Sequence, residues 1–600
     1  MVQEEVVKKF IDKRKEYLDE INRLDRQFSL VSGLRIVSFI AGVCLLLIGI
    51  SDKVDVAGIA GALFTLIFIY LIKIHGDIVR NTDIAKSRYT VTERYIMRLG
   101  NDWRKFPDNG SEYLGQDNTV ASDIDLLGAD SLYQMINVCH TDKGKQKLAG
   151  CMRLENVNTD EIKRRNEAIS ELVNKNDFAV RFEAAGMRLS QGKKKFHPEA
   201  FEEYCQKSES GKLPVWAEAA RWILPVVEVA SLVLWIVGIV DYGFPLVGFL
   251  VLLAFSWISK PITDSVILPF YSVGNVVDDY LEMMEEVENE QFESELLNEF
   301  RINLCGKNGA MQAFAALRSI GQAYNVCFNP LVHQILCGFF LWDFQLAHFM
   351  SKWKKKYGNA ASGCFECIAA FEELLSLSVV GVVRKTCWAQ VDNECRIKAA
   401  GLYHPLIAPD SVIDNDASLK AGVTIITGSN MSGKTTFLRT VAINLALAFM
   451  GAPVCGDSLT AGVMKIFTSM RITDDVAHGI STFYAEILRI KTMAEYRKKN
   501  LPMICLIDEI FKGTNSADRI VGAKEVIVRL SGDNCITIVS THDFELCDIT
   551  DVNNNEAMNY HFEEHYENDE LRFDYKMKDG RCTTTNARAI LRLAGFDVSD

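Results

Sequence analysis

Long apolar segments come in two closely spaced pairs along the chain. Residues 34–50 and 56–72 are almost free of charge and flank a short polar turn. Residues 222–240 and 244–258 form a second pair around an Asp-Tyr-Gly turn. Helices rise about 1.5 Å per residue, so segments of this length cross, or nearly cross, a hydrocarbon core of about 30 Å. The pattern predicts four transmembrane helices in two hairpins, with buried helices of a soluble protein as the alternative.

Basic residues flank both pairs of apolar segments. They are frequent before residue 35 and after residue 72, and Arg221 and Lys260 bracket the second pair. By the positive-inside rule these flanks are cytoplasmic. We therefore predict a multi-pass protein of the cell membrane with both termini inside. The charged, helical first 30 residues do not resemble a cleavable signal peptide.

Four glycines and one glutamate within these segments lead to further predictions about how the helices pack. Gly42, Gly49, Gly58 and Gly61 suit close packing of two helices. Glu228 lies inside the third segment. We interpret it as a residue that reaches the membrane interface, with a polar contact between two spans as the alternative.

Two other stretches have helical periodicity but different composition. Residues 278–300 are acidic and amphipathic, which favours a solvated lever or a coiled coil. Residues 329–349 are apolar but contain Pro330, His333 and Asp343. This spacing predicts a buried helix of a connecting core rather than another span.

The pattern changes in the C-terminal third, where short β-branched runs alternate with helical ones. Residues 423–427 predict a buried parallel strand, and residues 436–450 predict a helix. The segment between them, Gly-Ser-Asn-Met-Ser-Gly-Lys-Thr, fits the phosphate-binding loop G-x-x-x-x-G-K-[ST]. The predicted ATP-binding residues are Gly428, Ser429, Asn430, Met431, Ser432, Gly433, Lys434, Thr435 and Thr436. Lys434 would reach the β- and γ-phosphates, and Thr435 would bind Mg²⁺.

Two further strands are expected to complete this site. Residues 503–509 end in Asp508 and Glu509, and residues 535–543 carry His542 near their end. Asp508 is the second candidate ligand of Mg²⁺. Glu509 is the candidate base for the attacking water, and His542 the candidate sensor of the terminal phosphate. A purely structural histidine is the alternative for His542.

Ser481 and Thr482 precede a helical pattern in the segment Gly-Ile-Ser-Thr. A hydroxyl here can cap the helix that follows. The alternative is a second anion site at this helix N-terminus, used by the nucleotide of a partner subunit.

The region from Gly401 to Gly595 resembles the ATPase domain of the MutS mismatch-repair family. The resemblance rests on His-Pro-Leu-Ile at 404–407 and on the segments 427–440, 467–487, 506–515 and 540–546. It implies an ABC-like α/β ATPase that uses ATP and Mg²⁺ and works as a head-to-tail homodimer. Each nucleotide would then lie between one subunit's phosphate-binding loop and the other's Ser481 and Thr482, with Asn515 and Ser516 at the dimer seam.

A weaker resemblance covers residues 122–173, which look like the start of the family's helical core. Ser429, Ser432 and Arg471 depart from the family pattern, which usually has Pro, Gly and Gly there. No counterpart of the mismatch-reading domain is evident in residues 1–120. The Phe292-Glu-Ser segment lies in a helical pattern, outside the context of the family's Phe-x-Glu wedge.

Composition limits the function classes. The formal net charge of −13 argues against an extended DNA footprint, because such surfaces rely on Lys and Arg. Sixteen cysteines without a regular framework indicate reduced thiols. The single pair Cys364 and Cys367 does not favour a zinc site.

The expected organisation is therefore multidomain, with an all-α core and a C-terminal ATPase. The predicted units are an N-terminal helix (1–33), a membrane hairpin (34–74), a helical connector (75–120), a first core part (121–220), a second hairpin (221–260), a second core part or lever (261–400) and the ATPase domain (401–600). Two function classes stay open. One is a membrane-anchored ATPase that transmits closure to its membrane helices or a protein partner. The other is a DNA-binding ATPase tethered to the membrane.

Overall fold

The computed structural model describes most of the chain. The described residues are 2–51, 55–115, 119–155, 157–191, 198–207, 213–274, 276–429, 431–471, 482–511, 515–549, 551–552, 555–567 and 570–582. Asn430, Ser481 and the tip of the first apolar hairpin lie outside these ranges.

The N-terminal two thirds are mostly helical, which agrees with the predicted all-α region. Its helices are α1 (Val2–Ser51), α2 (Asp55–Leu99), α3 (Thr119–Asp123), α4 (Leu132–Ile136), α5 (Asp142–Cys151), α6 (Thr159–Asn174), α7 (Asn176–Gln191), α8 (Pro198–Gln206), α9 (Val215–Ile236), α10 (Gly243–Ile258), α11 (Lys260–Gly274), α12 (Val277–Asn289), α13 (Glu295–Cys305), α14 (Ala310–Asn325), α15 (Pro330–Phe340) and α16 (Trp342–Val383).

The C-terminal region is an α/β structure, as predicted. Its helices are α17 (Lys434–Phe449), α18 (Thr482–Arg497) and α19 (Ser516–Leu530). Its strands are β1 (Gln390–Asp392), β2 (Arg396–Leu402), β3 (Asn415–Lys420), β4 (Gly422–Thr427), β5 (Ser458–Gly462), β6 (Lys465–Ser469), β7 (Met503–Asp508), β8 (Cys535–Thr541), β9 (Asp551–Val552), β10 (Asn555–Glu556), β11 (Met558–His561), β12 (Glu564–Glu567), β13 (Glu570–Phe573) and β14 (Lys578–Asp579).

The main sheet has the strand order β14-β11-β4-β8-β7-β6. Strands β11, β4, β8, β7 and β6 are parallel, and β14 pairs antiparallel to β11. Strands β4, β7 and β8 are buried over their whole length, as expected for parallel strands covered on both faces. A second sheet has the order β1-β5-β2-β3. In the main sheet β8 lies between β4 and β7, so the carboxyl ends of three neighbouring strands share one edge.

The first apolar pair belongs to two helices much longer than a span, α1 and α2, which pack against each other. Glycines allow the close approach. A Cβ on Gly49 would lie 2.6 Å from the backbone nitrogen of Gly58, and one on Gly61 would lie 2.7 Å from that of Leu46. The expected role of Gly49 and Gly61 in helix packing is thus confirmed.

Three helices, α1, α2 and α9, are long and apolar enough to cross a membrane. The fourth predicted span is α10, a helix of 16 residues that is bent by 61° against α11. The two together count as a fourth candidate if the bent pair is one span. Large apolar side chains on these helices are exposed, for example Ile50, Val56 and Ile258. That exposure disfavours the alternative of helices buried in a soluble core.

Glu228 on α9 is buried against the neighbouring helix α10. Only 2% of the residue is exposed, and a Cβ on Gly248 would lie 1.9 Å from Glu228 Oε2. This burial disfavours the interpretation of Glu228 as an interface residue and favours a contact between the two apolar helices, although the neighbour is Gly248 rather than the polar partner of the alternative. Because Gly248 has no side chain, the Glu228 carboxylate fits against α10 at this point.

The 42-residue helix α16 organises the helical region. At about 1.5 Å per residue it is about 60 Å long, and most other core helices pack against it. Its buried Glu372 accepts hydrogen bonds from the backbone of His140 and Thr141 and from the Thr141 hydroxyl, at the start of α5. Burial raises the pKa of the Glu372 carboxyl to about 7, although these hydrogen bonds oppose the shift.

The acidic stretch 278–300 is not a solvated lever or a coiled coil, which corrects the prediction. It forms α12 and the start of α13, and α12 buries Tyr280, Met283 and Met284 in the core. Its acids pair with basic residues of α2 and α7, as in the Glu286–Arg181 contact of 2.6 Å. The negative charges are thus matched inside the molecule, a pairing that the local sequence does not reveal.

Phe292 is buried in the connection between α12 and α13, beside Phe178 and Phe371. The expected helical setting of this residue is wrong, but the side chain is part of the core and is not presented as a wedge.

The stretch 329–349 is not one buried helix, which corrects the second prediction on periodicity. It divides into α15 and the start of α16 at Leu341, which has a φ of 50°. Helix α15 packs on α10 and leaves apolar side chains such as Leu331 and Ile335 exposed. Only the α16 part lies in the core. The positive φ of a buried leucine permits the break, and its cost is met by tertiary packing.

Candidate functional site

The loop between β4 and α17 has a backbone that requires its glycines. Gly428 and Gly433 have φ values of 147° and 112°. A Cβ on Gly428 would lie 2.5 Å from the carbonyl oxygen of Phe562, so only glycine fits there without a shift. Met431 also has a positive φ, 72°, and is exposed. The loop opens onto the N-terminus of α17, where backbone N–H groups and the helix dipole favour an anion.

Lys434 is buried and lies within this loop. Its Nζ donates to the carbonyl oxygens of Gly428 and Ser429, each at 2.8 Å, and lies 3.3 Å from His542 Nε2. The ammonium group therefore occupies the concave side of the loop, where a phosphate would meet it.

The two serines that replace the usual family residues behave differently. Ser429 Oγ donates to Glu564 Oε2 at 2.7 Å, which ties the loop to β12. Ser432 is buried, and among the described residues its Oγ has no hydrogen-bond partner. An unpaired buried hydroxyl in a cradle of glycine backbone fits the oxygen of a bound phosphate. Thr436 is exposed on the first turn of α17.

The predicted magnesium ligands lie together. Thr435 Oγ1 donates to Asp508, with both carboxylate oxygens at 3.0 Å. The Ser540 hydroxyl also donates to Asp508, at Oδ1. Hydroxyl and carboxylate oxygens are the hard ligands that Mg²⁺ prefers, so this donor set fits the ion.

Ser540 escaped the sequence prediction, although the signal for it is local. It stands opposite Asp508 in the register between β7 and β8 and two residues before His542. The available clue was the pair of hydroxyl residues, Ser540 and Thr541, at the end of the mostly apolar strand β8.

Glu509 and His542 meet at the same edge of the sheet. Glu509 Oε1 lies 3.1 Å from His542 Nε2, the nitrogen that also faces Lys434. Glu509 has a φ of 54°, and its N–H donates to the carbonyl of Ser540 at 3.0 Å. Backbone strain of this kind in a non-glycine residue is common at functional sites. The structure thus brings together Lys434, Thr435, Asp508, Glu509 and His542.

The structure describes only the chain on either side of the segment 472–481, which contains Ser481. Thr482 begins α18, and its side chain and Ser481 lie outside the described residues. Farther along α18, Glu486 Oε1 accepts a hydrogen bond of 2.6 Å from the N–H of Phe511. This contact connects α18 to the chain two residues after Glu509.

A cluster of charges connects this region to the helical core, and sequence reasoning did not find it. Asp123, which is buried, accepts from the N–H groups of Met470 (3.1 Å) and Arg471 (3.3 Å) and from Arg489 Nη1 (2.8 Å). Asp125 pairs with Arg471 and lies 3.6 Å from Arg439 Nη1 on α17. Burial, and then the charge of Arg471, lower the pKa of Arg439. Arg471, the departure from the family's usual glycine, is thus fixed by two core carboxylates.

A parallel sheet with a glycine loop before a helix, a lysine inside that loop and acids on a nearby strand is the arrangement typical of P-loop nucleotide-binding domains. Comparison with known proteins indicates which kind of P-loop domain this region resembles. Residues 424–598 match the family model of MutS domain V.

Curated relatives point the same way. The chain is similar to DNA mismatch repair protein MutS 2 of Haloarcula marismortui, with 27% identity over 257 residues. It is also similar to DNA mismatch repair protein MutS of Natronomonas pharaonis, with 28% identity over 234 residues. These regions are 39% and 38% of this chain, and the chain spans about a quarter (27%) of the length of each relative. The matches confirm the resemblance to the MutS family predicted for the C-terminal region.

We predict that Asp123→Asn weakens the contact between the core and the ATPase region. An amide cannot accept from all three donors, and leaving buried N–H groups unpaired costs about 1–3 kcal/mol. Thermal or urea unfolding of the purified protein measures the loss. ATP turnover should fall as well, because residues 470 and 471 directly precede the segment that carries Ser481.

Asp130→Asn is the matched control, since Asp130 is exposed and, in the described part of the chain, its carboxylate contacts the exposed Arg104 alone. If Asp123→Asn were as stable and as active as Asp130→Asn, the proposed role of this contact would be wrong.

Proposed function

We propose that the protein is a membrane-anchored, MutS-like ATPase that hydrolyses ATP to ADP and phosphate. The supporting observation is the convergence of Lys434, Thr435, Asp508, Glu509 and His542 at one edge of the main sheet. Domain V of the MutS family is an ATPase-type domain, and its match covers the same strands.

Each residue has a distinct part in the proposed reaction. Lys434 and the N–H groups of the loop hold the β- and γ-phosphates. Glu509 accepts the proton of the attacking water, for which a carboxylate must lie within hydrogen-bond reach. His542, between Lys434 and Glu509, senses the terminal phosphate and orients Glu509. Thr435 and Asp508 would hold Mg²⁺, which supplies positive charge to the phosphates.

The proposed active form is a head-to-tail homodimer. Curated relatives of the chain belong to the MutS family, whose members work as dimers. Each nucleotide would be covered by Ser481 and Thr482 of the partner subunit, at the N-terminus of the partner's α18. Asn515 and Ser516 would lie at the seam.

The contacts of α17 support a proposed route for transmitting closure. At its C-terminal end, the carbonyl of Met450 accepts from Arg165 Nε at 2.8 Å. The same guanidinium donates to Glu373 on α16 at 2.8 Å. At the other end of α16, Phe344 stacks on Phe255 of α10, with ring centroids 5.6 Å apart. We propose that α16 is the lever between the nucleotide site and the candidate membrane helices.

A second candidate function is a membrane-tethered, DNA-binding ATPase related to mismatch repair or recombination control. The names of the curated relatives favour it. The net charge of −13 does not. Stoichiometric binding of duplex DNA by the detergent-purified protein at physiological salt would favour this DNA-binding function over the first proposal.

We expect Glu509→Gln to bind ATP but to lose at least about 100-fold in turnover, because general-base catalysis contributes factors of about 10² to 10⁴. Lys434→Ala should weaken nucleotide binding itself. Binding of a fluorescent ATP analogue and release of phosphate are measured on the same preparations. Glu525→Gln, on the exposed face of α19, is the control and should match the wild type. Wild-type turnover in Glu509→Gln would refute the role of Glu509.

The composite site predicts complementation between two inactive proteins. Lys434→Ala and Ser481→Ala each damage a different half of the site, so a mixed dimer retains one site with two intact halves. Mixing the two proteins should restore up to about half of the wild-type rate per mixed dimer. Two differently tagged chains, purified in sequence, show that mixed dimers have formed. Mixed dimers without activity would exclude the trans role of Ser481.

The proposed topology places both hairpin tips outside, and both termini and the two large segments inside, with the four apolar segments in the membrane. A single cysteine added at Asp55 or Asp241 should react with an impermeant maleimide on intact cells, and one at Lys15 or Glu202 should react only after lysis. The unmodified chain is the parallel control, because Cys44 is exposed on α1. Labelling of the Glu202 position on intact cells, or a protein that is soluble without detergent, would overturn this topology.

A further inference from the structure

Three side chains of the types that bind metal ions lie close together where α14, α15 and α16 meet. Cys327 lies in the short helical turn Val326–Phe328 after α14, His333 in the first half of α15, and Asp343 in the first turn of α16. Their donor atoms all lie within 4.8 Å of one another. His333 Nε2 is 2.8 Å from Asp343 Oδ1.

The backbone is shaped to bring these residues together. Asn329 caps α15 by accepting from the N–H groups of Leu331 and Val332 at 3.2 and 3.3 Å. Leu341, with its φ of 50°, ends α15 and turns the chain so that Asp343 faces back to His333. Leu341 itself is fully buried in a small cluster with Ala217, Leu252 and Phe344.

A fourth donor stands next to this group. Cys337 follows His333 by one helical turn, and residues four apart share a helix face. Its Sγ is 3.3 Å from His333 Nε2, the nitrogen that faces Asp343. The Cys337 thiol thus lies beside the imidazole of this group, although it is not one of the three residues whose donor atoms all lie within 4.8 Å of one another.

A His–Asp ion pair alone would explain the contact between His333 and Asp343. It would not explain why two cysteines from different elements approach the same imidazole. The donor set also selects a class of ion, because sulfur and imidazole nitrogen favour zinc and its neighbours, whereas Ca²⁺ and Mg²⁺ favour oxygen.

We propose that Cys327, His333 and Asp343, with Cys337 as the fourth donor, bind a divalent transition-metal ion of the zinc class. Four protein donors are typical of a structural site rather than a catalytic one. On binding, the thiols release their protons and coordinate as thiolates.

The position of this site gives the metal a mechanical role. Helix α15 packs on α10 through Phe339 and Phe249, whose ring centroids are 5.1 Å apart, and Gln334 accepts from Trp257 Nε1 at 3.1 Å. Helix α16 leads to the ATPase region. The ion would therefore fix the angle between the candidate membrane helices and the long helix at Leu341.

The test measures metal in the full-length, detergent-purified protein after loading with zinc and dialysis against metal-free buffer. We expect about one zinc ion per chain by mass spectrometry, as for a site with four protein ligands. Replacement by Co²⁺ should give a thiolate-to-cobalt charge-transfer band and the visible bands of tetrahedral coordination.

Two variants and two matched controls locate the ion. Cys327→Ser and His333→Gln should each lower the retained zinc at least about tenfold. Cys305→Ser and His348→Gln should retain it, because Cys305 is a half-buried thiol at the end of α13 that contacts the Met284 carbonyl and His348 pairs with Glu218 instead.

Retention of zinc by Cys327→Ser and His333→Gln at the control level would overturn the proposal. So would a wild-type protein that holds no zinc after loading and gives no cobalt bands. The wild-type measurement does not depend on whether a variant folds, and neither measurement depends on ATP hydrolysis.

Discussion

The contact made by Arg165 is the point on which the rest of the architecture depends. Its guanidinium donates both to the carbonyl end of α17 and to the buried Glu373 of α16. Helix α17 begins at the phosphate-binding loop, and α16 runs about 60 Å towards the apolar helices. A charge-assisted hydrogen bond in a mostly buried setting is costly to break, which supports the proposal that the two helices move together. The C-terminal α/β region and the helical region are in direct contact through this guanidinium.

A second connection reaches the same ATPase region from the core. Asp123 and Asp125 hold Arg471 and Arg489, and so fix the chain on both sides of the segment 472–481. That segment carries Ser481, which in the proposed dimer serves the partner's nucleotide. The core is thus joined to α17 through Arg165 and to the proposed trans element through Asp123. In this scheme, a structural change on nucleotide binding would reach the core through both the Arg165 contact and the Asp123 contact.

The failed predictions share one cause. The stretches 278–300 and 329–349 were interpreted from their own periodicity, but each is determined by its neighbours. The acids of α12 are neutralised by arginines of α2 and α7 that lie far away in sequence. The helix at 329–349 breaks because Leu341 is buried by residues of α9, α10 and α16. Glu228 is a similar case, since only the contact with Gly248 shows that the two apolar helices enclose it.

The sequence alone determined the elements whose signal is local. The apolar segments, the strands β4, β7 and β8 and the glycine loop were predicted close to where they lie, because burial on both faces and positive φ values restrict residue type strongly. The approach of Lys434, Asp508, Glu509 and His542 followed from the rule that parallel strands end at one edge. Tertiary structure alone decided the hydrogen bond of Ser540 to Asp508, the pairing of Arg471 with Asp125, and the meeting of Cys327, His333 and Asp343. Each of these depends on a distance between separate elements, which hydrophobic periodicity does not encode.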